Sequence, residues 1–263
     1  MGSSTASMVP GGWSLGLSGR LESFAFLRAR WEHLCLLQYP VPAELLKPHV
    51  PPGLTLDLFD GQPHVSLVAF DFNDTRVLGI PWPGYRFFPE INLRFYVRDG
   101  EQRGVTFVKE YVPQSWVAWL ARTLYNEPYQ AAPMRSSVED TPEGISIAHV
   151  LEVGGKKHRL HVTANKPMLV PDASSMEHFF KEHEWGFGQS GRGEKRVYRV
   201  QHPQWDVYTD VVYNLSWDWG LVYGEKWAFL NDVEPSSVVV ARGSEVSVSP
   251  WTSKLPELSP AQS

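Results

Sequence analysis

The residues of this chain best suited to chemistry lie on one short run, Phe88-Pro89-Glu90-Ile91-Asn92-Leu93-Arg94-Phe95-Tyr96-Val97. After the proline the run alternates strictly. Glu90, Asn92, Arg94 and Tyr96 share one face and Ile91, Leu93, Phe95 and Val97 the other, the period of a strand with two unlike faces. Such a polar face either meets water or lines a wet cavity inside a barrel. Carboxylate, amide, guanidinium and phenol side by side can orient and polarise a small polar ligand. Enclosed by aromatic walls, Glu90 would have a raised pKa and could act as acid or base. In the open, it would be a solvated carboxylate or a structural partner of Arg94 on the same face.

Other motifs fail on their context. Gly186-Phe187-Gly188-Gln189-Ser190-Gly191 matches the dinucleotide fingerprint literally, but that motif needs a strand before it and a helix after it. Here a helical pattern precedes and charged residues follow, so the segment reads as a loop. His158 and His161 point to opposite faces of a strand, and His178 and His183 are wrongly spaced on a helix, so neither pair converges as metal ligands. His158 reads as solvated and His183 as lying at the edge of the core. No metal and no cofactor are expected. Neither Gly-x-Ser-x-Gly nor His-Glu-x-x-His occurs, which leaves serine hydrolase and zinc protease chemistry without support. Trp205, Trp217, Trp219 and Trp227 have no interleaved basic residues and read as core and barrel mouth instead of a stacking surface for bases.

Composition narrows the class. With 263 residues, 43% of them hydrophobic and only 20% charged, the chain can bury a substantial core. A net charge of −5 with scattered lysines and arginines lacks the electrostatic footprint for nucleic acid. No apolar run reaches the roughly 18 to 20 residues of a membrane-spanning helix, and Met1 to Gly12 lacks the pattern of a signal peptide. A cytoplasmic protein without nucleic-acid or membrane partners is therefore expected, with a homo-oligomer left open. The single cysteine, Cys35 in Leu34-Cys35-Leu36-Leu37, excludes an intrachain disulfide and reads as a packed strand thiol.

The elements that must position the polar run are mostly strands. Short runs punctuated by Gly and Pro, among them His64 to Phe72, Ile91 to Val97, Gly104 to Tyr111, Ile145 to Val153, Lys157 to Ala164, Val207 to Tyr213 and Val238 to Ala241, predict a mainly β, largely antiparallel fold. Helical signals are few. Pro42 to Lys47 carries its proline in a first turn, Ser115 can cap a helix with Trp116, Trp119, Leu120, Thr123 and Leu124 on one stripe, and Ser174 with Glu177 is a capping-box pattern before Met176, Phe179, Phe180 and His183. The organisation expected is a flexible leader over 1–20, a single domain over 21–252 and a flexible tail over 253–263.

Several motifs in order resemble one family. Val41-Pro42-Ala43-Glu44-Leu45-Leu46, Val50-Pro51-Pro52-Gly53-Leu54-Thr55-Leu56-Asp57, Pro89 to Val97, Arg103-Gly104-Val105, Glu182-His183-Glu184-Trp185-Gly186-Phe187-Gly188 and His202-Pro203-Gln204-Trp205 are similar to the YqjF-like uncharacterised proteins, over about Trp31 to Val248. That family is in turn similar to the acetoacetate decarboxylase superfamily. The resemblance implies a cone-shaped antiparallel β-barrel (α+β, mainly β) with a few short helices around a buried pocket. It places the decarboxylase Phe-Glu strand end on Phe70-Asp71, the pocket glutamate on Glu90, the Gly-Arg-Glu segment on Ala121-Arg122-Thr123 and the Tyr-Pro-Lys-Lys segment on Glu127-Pro128-Tyr129-Gln130. An arginine near the first strand corresponds to Arg30.

The departure from that pattern is chemical. Decarboxylases of this type form a Schiff base on a lysine whose pKa an adjacent lysine lowers, and the two positions here are Tyr129 and Gln130. A Schiff base at that place is excluded. Lys109 is the spare candidate, sharing a strand face with Val105, Phe107 and Tyr111; it either points inward beside them or reaches solvent at the strand end. The expected site therefore has Glu90 and Tyr129 as catalytic or polar contacts, with Arg94, Arg122, Asp71, Arg30 and Lys109 as substrate-binding residues. The reading is a protein that binds a small, carboxylate-bearing organic molecule. Its alternatives are a lysine-independent lyase, isomerase or hydrolase with Glu90 as general acid/base, and a non-catalytic interaction scaffold.

Overall fold

A strand buried on both faces must be apolar almost continuously, whereas one with a single covered face alternates. Both kinds occur in the computed structural model, which describes residues 25–81, 86–119, 126–253 and 255. In chain order the strands are β1 (Leu27–Pro40), β2 (Thr55–Leu56), β3 (His64–Val77), β4 (Ile80–Pro81), β5 (Phe88–Asp99), β6 (Gln102–Val112), β7 (Tyr129–Ala131), β8 (Met134–Asp140), β9 (Gly144–Val153), β10 (Lys156–Leu169), β11 (Trp185–Gln189), β12 (Lys195–Gln201), β13 (Val207–Ser216) and β14 (Ser237–Val248). The helices are α1 (Ala43–Leu46), α2 (residues 115–119), α3 (Met176–Lys181) and α4 (Trp219–Tyr223). The leader expected over 1–20 lies outside the described residues, as does all but Ser253 and Leu255 of the expected tail.

Hydrogen bonding closes a circuit. β1 pairs with β3, β3 with β5, β5 with β6, β6 with β11, β11 with β12, β12 with β14, and β14 returns to β1. The result is a barrel, antiparallel around this circuit except at the parallel β6–β11 pair. β13, β10, β9 and β8 continue from β14 as a second sheet. The fold is thus the mainly β architecture with few short helices that the sequence implies.

The two layers explain the two strand patterns. Cys35, Leu37, Leu67, Leu93 and Phe95 meet Ile147, Leu151, Leu160 and Val162 of the second sheet, while Leu34, Leu36, Val68, Phe70 and Phe72 face the barrel interior. β9 and β10 have one covered face and alternate accordingly. His158, expected in solvent, has the parity of Leu160 and Val162 and is buried with them; its Nδ1 accepts the Asp218 N–H at 3.2 Å.

The capping pattern expected at Ser174 is made one residue later, where Ser175 Oγ accepts the His178 N–H at 3.1 Å. Helix α3 then lays Phe179 and Phe180 on Phe59, His64 and Tyr96. Of the helix expected from Ser115, Trp116 lines the interior and Trp119 is 59% exposed, while Leu120, Thr123 and Leu124 lie outside the described residues.

The barrel's seams differ in length. β1 and β14 pair from Leu27↔Val248 to Gln38↔Ser237, but β11 meets β6 only at Trp185↔Gly104 and Gly186↔Val105, and β12 meets β14 only at Val200↔Val248 and Gln201↔Ser247. The glycine-rich segment expected as a loop is therefore strand through Gln189. Gly186 has a packing reason: a Cβ there would lie 2.1 Å from the Tyr198 ring.

One glycine governs closure of the long seam. β1 bulges between Glu32 and Cys35, with His33 at φ 57°, and Gly243 opposite Glu32 takes φ 84°. A Cβ on Gly243 would stand 1.9 Å from the Trp31 carbonyl oxygen. Gly243→Ala combines left-handed strain with a backbone clash and is expected to cost about 3 kcal/mol or more. Urea denaturation measures this, and a midpoint equal to wild type would show that the seam yields at little cost.

Candidate functional site in the barrel interior

Alternation along β5 turns Glu90, Asn92 and Arg94 into the barrel, where they line a cavity of about 180 Å³ with Phe70, Phe72 and Phe88 on the apolar side. That is a little more than the roughly 150 Å³ that admits benzene. Strand β6 would continue the alternation, but its register slips between Leu93↔Lys109 and Arg94↔Phe107, leaving Val108 as an extra residue. The bulge changes which side chains face inward. Val105 and Phe107 line the cavity, and so does Glu110, opposite Asn92. Parallel pairing of β7 with β6 then sets Tyr129 beside Glu110, and Glu127 precedes it on the same wall.

The polar wall is tightly built. Asn92 Nδ2 donates to Glu90 Oε1 at 2.9 Å and the Tyr129 hydroxyl donates to Glu90 Oε2 at 2.9 Å. Glu90, Glu110 and Glu127 are all buried. Burial pushes Glu90 up to about 7 against the opposing pull of Asn92, Tyr129 and Arg94. Burial likewise lifts Glu127 to about 8, and it raises Glu110 well above the usual carboxylate range with help from the charges of Glu127 and Glu90. Carboxyls this close hold protons as a group. Burial and the neighbouring Glu110 and Glu90 charges also push the Tyr129 phenol far up, so it stays a hydrogen-bond donor at neutral pH.

At the other end of the β5 run, Arg94 Nη2 donates to the Phe180 carbonyl at 3.0 Å and its Nε has no acceptor. Among the described residues no carboxylate lies within ion-pair distance of it. His183, expected at the core edge, lines the cavity too, and burial drives it down to about 4, leaving a neutral ring.

The remaining expected residues lie elsewhere. Asp71 alternates away from Phe70 and Phe72, and its Oδ2 pairs with His33 Nδ1 at 3.1 Å. Burial opposes its charge, yet that bond, with His149 and Ser136, holds Asp71 below the usual carboxylate range. Arg30 is half exposed and pairs with Glu32 at 2.9 Å and Glu245 at 3.6 Å, outside the cavity. Lys109 does not share the face of Val105 and Phe107, because the bulge turns it with Tyr111 to the opposite side, where both donate to the Val222 carbonyl at 2.8 and 2.7 Å. Arg122 lies outside the described residues. The structure therefore brings Glu90, Asn92 and Arg94 of the polar face and Tyr129 to one cavity, and adds Glu110, Glu127 and His183, which sequence reasoning did not assign to it. Only an acid within the strand-like run Gly104 to Tyr111 hinted at Glu110.

A family model described as an uncharacterised conserved protein matches residues 28–245. The chain belongs to the DUF2071 family. The DUF2071 chain is 29% identical to the uncharacterised protein YqjF of Bacillus subtilis over 160 residues, 59% of this chain and 64% of that protein, so it spans less than two thirds of that relative. Solved structures of similar fold include an acetoacetate decarboxylase-like enzyme from Sphingomonas wittichii, with TM-score 0.60, 14% identity and coverage of 87% of this chain and 94% of that one. The acetoacetate decarboxylase of Legionella pneumophila follows at 0.59, 13%, 97% and 100%. The enduracididine biosynthesis enzyme MppR, solved in complex with pyruvate, gives 0.58, 13%, 92% and 95%. At these identities the likeness of this DUF2071 protein to them is one of fold. No helix among the described residues is long and apolar enough to cross a membrane.

Proposed function

We propose that the barrel cavity binds a small carboxylate-bearing organic molecule, its carboxylate held by Arg94 and its polar end met by Glu90 and Tyr129. The observation that carries this reading is the pairing, in one cavity of about 180 Å³, of an arginine without a carboxylate partner among the described residues and a buried carboxyl bonded at both oxygens. A guanidinium in a low-dielectric site offers a rigid fork for a carboxylate. Protonated carboxyls along the rest of the wall would not repel that anion. The pyruvate complex of MppR, a protein of similar fold, is in keeping with this class of ligand.

A second reading is favoured by one value. Glu90 at about 7 is poised to give and take a proton near neutral pH, which suits a lysine-independent lyase, isomerase or hydrolase. None of the described residues lining the cavity is a lysine, so imine chemistry finds no nucleophile on this wall.

A thermal-shift screen of keto, hydroxy and aromatic acids on wild type and Glu90→Gln in parallel tests the proposal. A ligand at a hundred times its Kd adds about 2.7 kcal/mol and moves the midpoint by several degrees. The expected result is a shift with at least one small acid that shrinks in Glu90→Gln. Silence across the panel would sink the reading. For any turnover found, a limb of the pH–rate profile near pH 7 that disappears in Glu90→Gln would support the catalytic version.

A further inference from the structure

Three oxygens in the cavity wall have no hydrogen-bond partner, and all three are acceptors once the acids are ionised. Asn92 Oδ1, Glu110 Oε1 and Glu127 Oε1 are buried and unpartnered, and all three residues line the cavity. The orientation of Asn92 is fixed because its Nδ2 is committed to Glu90 at 2.9 Å. A buried acceptor left unpaired loses its hydration without replacement, so this patch is completed by something that donates several hydrogen bonds.

We infer that the molecule taken by the cavity carries a primary ammonium group as well as its carboxylate, the nitrogen seated among Asn92, Glu110 and Glu127. The inference rests on the carboxylate-binding reading above. An ammonium has three donors for three acceptors, whereas a hydroxyl has one. The charge argues the same way. Three buried acids stand together, and the charged and titratable groups facing them are Arg94, Arg196 near Glu127, Tyr129, Tyr198 and a neutral His183. A cation arriving there gains charge-assisted bonds and lets the acids release protons they otherwise retain.

Spacing narrows the class further. Asn92 is two residues from Arg94 on the same face and Glu110 is opposite Asn92, so the strand positions that carry the two ends are about 7 Å apart. A short ω-amino acid spans that distance.

Titration calorimetry with γ-aminobutyrate, γ-hydroxybutyrate, butyrate and butylamine, in two buffers of different ionisation enthalpy, tests the assignment. The amino acid is expected to bind at least about tenfold tighter than the hydroxy and plain acids and to release protons on binding. Glu110→Gln and Glu127→Gln are each expected to shrink that ratio to within about threefold. The inference is overturned if the hydroxy or plain acid binds as tightly as the amino acid, or if both variants keep the wild-type ratio. Butylamine binding without butyrate binding would remove the carboxylate reading and leave the ammonium seat standing. Binding by none of the four removes this inference, and the broader acid panel then decides the carboxylate reading by itself.

Discussion

Glu127→Gln is expected to raise stability by less than about 1 kcal/mol at about pH 5 and by on the order of 4 kcal/mol at about pH 8. Burial, opposed by Tyr198 and aided by the Glu90 charge, lifts this carboxyl from 4.5 to about 8. Below about pH 4.5 it is protonated in folded and unfolded chains alike. Above that, the unfolded chain gives up the proton while the folded chain keeps it. The folded state then binds more protons and loses stability with rising pH until its own carboxyl titrates near pH 8. An amide has no such proton, so the variant escapes the loss.

Two histidines act in the opposite sense. His149 and His183, driven by burial from 6.5 to about 4, are neutral when folded and charged when unfolded between those values, so they add stability as pH rises through that window. Subtracting wild type from variant cancels them. The wild-type curve itself should fall from about pH 6.5 toward pH 8, as the histidine contribution is then complete and the penalties of Glu127 and its raised neighbours Glu90 and Glu110 still count against the folded state. Urea denaturation across this range checks both statements. A variant-minus-wild-type difference that stays flat from about pH 5 to 8 would show that Glu127 ionises normally in the folded protein.

Arg94→Met is expected to weaken binding of pyruvate, or of the strongest acid from the thermal-shift panel, by on the order of a hundredfold. The guanidinium lines the cavity, and among the described residues no carboxylate pairs with it. Truncating it leaves a ligand carboxylate desolvated and unpaired, and such losses run to about 2–5 kcal/mol. Because Nη2 also holds the Phe180 carbonyl, the unliganded variant's melting point must be measured separately. Arg94→Lys keeps the charge but loses the planar fork, and should recover only part of the affinity. Equal calorimetric affinity in wild type and Arg94→Met would place the carboxylate elsewhere.

The strands were legible because their determinants are local, whereas the barrel came from the family resemblance. Alternation along Phe88 to Val97 and the two-faced burial of β1 and β3 follow directly from residue type, and Glu90, Arg94 and Tyr129 do share one cavity. What escaped was set by a single residue of register. Lys109 and Glu110 trade places because Val108 has no partner on β5, and the stretch Val105 to Tyr111 contains no glycine or proline to announce the slip. Asp71 was aligned by pattern to a pocket position, but strand parity sends it to His33 instead. Glu127 and His183 come from segments remote in sequence, and only closure of the barrel brings them to β5.

The short seams on either side of the β11–β12 hairpin have a dynamic consequence. That hairpin carries Trp185, Tyr198 and Val200 of the cavity wall, yet it is attached to β6 and β14 by two residue pairs on each side. Thr106 on the Phe187 carbonyl, the Val197–Thr252 bridge, Ser249 on Arg199 and the Lys195–Asp99 pair add to these ties, but the backbone ladder on each side remains shorter than the β1–β14 seam. Amide hydrogens along Trp185 to Gln189 should exchange with solvent faster than those of the β1–β14 seam, and an occupied cavity should slow them. The barrel wall is thus least stitched by backbone pairing at this hairpin, and what keeps it shut is the burial of Phe187 and Val197 in the core.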